Sequence, residues 1–117
     1  MIRYIQARDR DTLRFRADSR INQIIRDVTH RDNTQGLYLV DAVKAFERNS
    51  PYGIPGSELF LEHVHLNFHG NYLLAKTLFE QIKKILPDRL RHFERSDHPV
   101  LTETECARHL AWTEWDR

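Results

Sequence analysis

Three histidines and one carboxylate fall within eight residues, Glu62-His63-Val64-His65-Leu66-Asn67-Phe68-His69. Three chemistries compete for that cluster. His63 and His65, spaced H-x-H, with His69 and Glu62 would supply nitrogen and oxygen ligands suited to zinc or another borderline cation. An H-x-H pair turns both rings the same way only where the backbone is extended. Alternatively, Glu62 orients His65 so that its imidazole can take a proton from a nucleophile. In the third case these are polar loop residues that simply precede a helix, with His69 near its start. Spacing alone leaves all three open.

The nucleophile that a histidine base requires is harder to place. Ser19 follows Ala17-Asp18 inside a helical pattern, which makes it a solvent-side helix residue. Ser50 and Ser57 flank a loop rich in proline and glycine, with no oxyanion partner beside either. Cys106 lies four residues into a capped helix and reads as a small apolar residue. As the sole cysteine it excludes an internal disulfide and any zinc site built from several cysteines.

The elements that would carry these groups follow from periodicity and end signals. Leu13, Ala17, Ile21, Ile24, Ile25 and Val28 recur at helical spacing after Asp11 or Thr12 as cap, predicting an amphipathic helix over 11–31. Asp32-Asn33-Thr34-Gln35-Gly36 is a turn cluster. Leu37-Tyr38-Leu39-Val40 is apolar at every position, the pattern of a strand buried on both faces of a parallel sheet. Ala42 to Arg48 reads as a short helix, and Asn49 to Gly56 as a loop of breakers. Asn67 caps a helix from Phe68 to Leu86, with Tyr72, Ala75, Leu78, Phe79 and Ile82 along one side, and Pro87 ends it. The segment from Asp88 to Pro99 is charged and poorly patterned, an exposed connection. Thr102 and Glu105 form a capping box, with Leu101 and Cys106 as a hydrophobic staple, for a final helix over about 103–111. Trp112 and Trp115 follow it.

The chain has 117 residues, 40% of them hydrophobic and 30% charged, a composition of globular proteins and enough for one modest core. Its apolar runs fall far below the roughly 20 residues of a membrane span. The opening Met-Ile-Arg-Tyr lacks the apolar region of a signal peptide, and the cellular compartment is open. Residues 1–31 carry eight arginines against four aspartates. Because those arginines alternate with acids and apolar residues along one predicted helix, they read as its solvated face and not as a nucleic-acid patch.

Residues 62–75, Glu-His-Val-His-Leu-Asn-Phe-His-Gly-Asn-Tyr-Leu-Leu-Ala, resemble the last conserved block of the SGNH (GDSL-like) hydrolases, where a D-x-x-H motif supplies the acid and the histidine of a Ser-His-Asp triad. Ala7-Arg8-Asp9 through Asp18, Tyr38-Leu39-Val40-Asp41, and Glu105-Cys106-Ala107-Arg108 through Arg117 extend the likeness. Together they resemble bacterial SGNH-type proteins in which this domain is joined to tetratricopeptide repeats. The resemblance places His65 at the family's catalytic histidine and Glu62 at its aspartate. His63 and His69 match no catalytic position.

The fold so implied is α/β, predominantly helical as present: residues 1–117 as a single partial domain, the C-terminal part of a flavodoxin-like three-layer fold. It would hold about one short parallel-type strand and three to four helices. The implied function is that of a fragment or degenerate form of a serine ester hydrolase, without metal or other cofactor. The G-D-S and G-x-N blocks of the family are absent from these residues, so the chain alone is expected to be inactive. The competing expectation is a non-enzymatic association module, which forms a homo-oligomer or docks to a tetratricopeptide-repeat partner through apolar helix faces and Trp112 and Trp115.

Overall fold

A computed structural model describes residues 2–13, 15–31, 36–91, 100–113 and 115. Six α-helices and one 3-10 turn follow in chain order among them: α1 Ile2–Asp9, α2 Ser19–Arg31, α3 Ala42–Arg48, the 3-10 turn Pro51–Gly53, α4 Phe68–Ile85, α5 Asp88–Arg91 and α6 Glu103–His109. Of the turn cluster expected over 32–36 only Gly36 is described, and of the connection expected over 88–99 the first four residues form α5 while 92–99 lie outside the described residues.

The α/β expectation is overturned. Leu37 to Val40 form no strand, and the described residues contain no sheet, so the flavodoxin-like three-layer fold does not describe this chain. A parallel strand needs a neighbour for its backbone groups on each side. Here the Val40 carbonyl instead accepts locally from Ala42 N–H at 2.9 Å, and the segment runs straight into the cap of α3. The only β-type pairing described is one antiparallel bridge between Phe60 and Leu66.

The N-terminal third also differs from expectation. Instead of one helix over 11–31, α1 ends at Asp9 and α2 begins at Ser19. Short polar side chains bonding nearby backbone account for the break. Asp11 Oδ1 accepts from Leu13 N–H at 3.0 Å, which fixes a turn, and Asp18 Oδ1 accepts from Ile21 N–H at 2.9 Å, which starts the helix there. Asp9 Oδ1 also accepts from Ser19 N–H at 3.0 Å, tying α1 to the start of α2.

The caps expected at Asn67 and Thr102 are in place, whereas the one expected at Asp11 or Thr12 starts no helix. Asp41 accepts from Lys44 N–H at the start of α3, Asn67 from Gly70 N–H at the start of α4, and Thr102 with Glu105 closes the capping box of α6. Arg26 of α2 reaches Asp41 through two hydrogen bonds of 2.9 and 3.2 Å, so the cap of α3 also joins α2 to α3. At the other end, α6 meets the first turns of α4. Phe68 stacks on Trp112 with ring centroids 4.6 Å apart, His69 Nδ1 lies 2.8 Å from Glu103, and Tyr72 Oη donates to the Leu101 carbonyl at 3.1 Å.

Very little of the apolar surface is covered. Among the described residues Leu59 is fully buried and Phe46 nearly so. The core positions expected on α2 and α4, Ile21, Ile24, Ile25, Val28, Leu78, Phe79 and Ile82, are all exposed. The chain presents 9758 Å² to solvent, where a folded monomer of 14.0 kDa presents about 6,700 Å². Its radius of gyration of 17.1 Å compares with about 13 Å for a compact chain of this length.

Candidate functional site

The loop that carries Glu62, His63 and His65 is pinched shut at its base. Leu61 N–H donates to the His65 carbonyl at 2.8 Å, and Asn67 N–H donates to the Leu59 carbonyl at 3.0 Å. Asn67 anchors that base three ways. Its carboxamide nitrogen donates to the Ser57 and Glu58 carbonyls at 3.1 and 3.0 Å, while its oxygen caps α4. Gly70 completes the fit, since a Cβ there would sit 2.2 Å from the Leu59 carbonyl oxygen.

Within the loop the Glu62 carboxylate is the hub. It accepts from the backbone N–H groups of His63, of Val64 at 3.2 Å and of His65 at 3.1 Å, and its Oε1 contacts His65 Nδ1. The imidazole of His65, followed by those backbone N–H groups, lowers the Glu62 carboxyl from 4.5 to about 2. A carboxylate that accepts several N–H bonds favours its charged form, which explains the direction. With Glu62 on Nδ1, the Nε2 of His65 is left toward solvent on a side chain that is 79% exposed. A carboxylate that fixes the tautomer of an exposed imidazole is the geometry of an oriented proton acceptor.

The three histidines do not converge. His65 pairs with Glu62, His69 pairs with Glu103, and His63 packs edge-on against Phe15 with ring centroids 5.2 Å apart while its Nδ1 stands 3.5 Å from Glu62. The described residues hold no group of three or more His, Cys, Asp or Glu side chains able to bind a metal ion.

Glu62 and His63 line an open cleft of about 440 Å³ together with Tyr4, Arg8, Phe15 and Arg16, and His65 is not among its lining residues. None of the serines weighed as nucleophile bonds its imidazole: Ser19 Oγ accepts from Arg8 at 2.6 Å on α2, Ser50 precedes the 3-10 turn, and Ser57 lies in the turn before Leu59. Cys106 is half-buried on α6.

Arg16 is the residue that periodicity misplaced. Expected on the solvated face of a helix, it lies instead between α1 and α2, where its Nε donates to the His63 carbonyl and its guanidinium stands 4.4 Å over the Phe60 ring. The arginine thereby braces the loop from outside. A contact between residues 47 apart has no local sequence signal.

No described helix is long and apolar enough to cross a membrane. Comparison with family models, with curated proteins and with solved structures finds no match to this chain.

Proposed function

We propose that the chain carries the acid and histidine side of an SGNH-like serine ester hydrolase site, as a fragment or degenerate form, and that it does not hydrolyse esters alone. The observation that carries the reading is the Glu62 carboxylate on His65 Nδ1, with Nε2 facing outward. In the reaction so read, Nε2 takes the proton of a serine hydroxyl as Oγ attacks the acyl carbon, then returns it to the departing alcohol. Water repeats the two steps on the acyl-enzyme and releases the acid. Glu62 holds the tautomer and stabilises the imidazolium. The serine and the oxyanion donors must come from outside the described residues. The substrate class is an acyl ester on a carbohydrate or lipid, and the mechanism needs no metal.

The imidazole tautomer tests the pair directly. Long-range ¹H–¹⁵N correlation spectra should show neutral His65 with its proton on Nδ1 and none on Nε2, and Glu62→Gln should abolish that preference. A proton on Nε2 in the unmodified chain would sink the reading. With p-nitrophenyl acetate the chain alone should give no acyl-enzyme burst.

A further inference from the structure

The apolar stripe of α2 has a spacing that speaks to its occupant. Ile21, Ile24, Ile25 and Val28 stand at i, i+3, i+4 and i+7 on one side of the helix, each 45 to 51% exposed. Arg26 turns away from them into its pair with Asp41, and Gln23 bonds Asp27 at 2.7 Å along the helix. What remains is an uncharged strip on a helix about 20 Å long.

We propose that a second copy of the chain covers this stripe, with the two α2 helices crossing antiparallel about a twofold axis between Ile24 and Ile25. The positions 21, 24, 25 and 28 read the same in both directions, which is the self-complementarity a twofold contact demands. Ile21 then meets the partner subunit's Val28, while beside the axis Ile24 meets the partner subunit's Ile24 and Ile25 meets the partner subunit's Ile25. The flank repeats the symmetry in charge. Arg20 and Asp27, seven residues apart and so on the same edge of the helix, are brought alongside the partner's Asp27 and the partner's Arg20. The contact stands independently of the hydrolase reading, because the stripe involves neither Glu62 nor His65.

Sedimentation equilibrium of the full chain from micromolar to hundreds of micromolar tests it. The expected result is a species of twice the 14.0 kDa chain mass, converted to single chains by Ile24→Asp, which sets two carboxylates against each other at the axis. Far-ultraviolet circular dichroism checks that the variant keeps its helices. Should it lose them, the flanking charges decide the matter. Arg20→Asp and Asp27→Arg should each weaken association about tenfold at low salt, and the double variant should return to within about twofold of the original. A chain that stays at 14.0 kDa throughout overturns the proposal, whatever other partner it binds. So does a dimer indifferent to Arg20→Asp, or charge reversals that add where they should cancel.

Discussion

Glu62 stays ionised far into acid because three backbone N–H groups and one imidazole converge on it. Its carboxyl sits at about 2 in the folded chain against an ordinary 4.5. The folded state therefore binds fewer protons than the unfolded chain between those values, so this contribution to stability is complete above about pH 4.5 and is lost as pH falls through about 2. Carbon-detected titration of Glu62 should give a midpoint near 2 that moves back toward 4.5 in His65→Ala, because the imidazole is the foremost cause. A midpoint at the ordinary value in the unmodified chain would contradict the geometry. Gly70 gives a second residue-level prediction. Its missing side chain lets α4 start directly against the Leu59 carbonyl, so Gly70→Ala should lower unfolding free energy by about 3 kcal/mol in urea. Little change would mean that the loop base yields easily.

Elements whose ends are set by local chemistry were legible in the sequence. Asp41, Asn67 and Thr102 each cap the helix they precede, so α3 matches its expected bounds and α4 and α6 match within two residues. The start of α2 was not legible, because Asp11 and Asp18 are equally good caps and the choice between them rests on Asp9 reaching Ser19. The stretch from Leu37 to Val40 was misread for a related reason: an apolar run states that a segment is suited to burial, while a strand exists only where a partner strand lies beside it. Asp41 separates its two tasks experimentally. Its carboxyl is held below the ordinary value first by Arg26, and it also caps α3. Asp41→Ala, losing both, should cost about 2 kcal/mol, and Asp41→Asn, which keeps the cap oxygen, about half that. Equal costs in chemical denaturation would show that only the ion pair matters.

For the molecule as a whole, the decisive property is how much apolar helix surface meets water. Periodicity located Ile21, Ile24, Ile25 and Val28 on α2 and Leu78, Phe79 and Ile82 on α4, though the Leu13 and Ala17 it joined to the first stripe lie before α2, and a single chain leaves both stripes open. Of the candidate site, the Glu62–His65 pair was legible because its members are three residues apart. The cleft beside it and the brace from Arg16 were not, because they depend on how α1 and its connection return to the loop. If association covers α2, the apparent melting temperature should rise with protein concentration by mass action. A melting temperature independent of concentration over two decades would argue for a chain that is stable alone. The stack of Phe68 on Trp112 has an optical consequence as well. Trp115 is 96% exposed, whereas Trp112 lies half-buried against the first turn of α4. Acrylamide should quench the two indoles unequally and give a downward-curving Stern–Volmer plot, which straightens when α6 comes away from α4, so the chain carries its own fluorescent gauge of that joint.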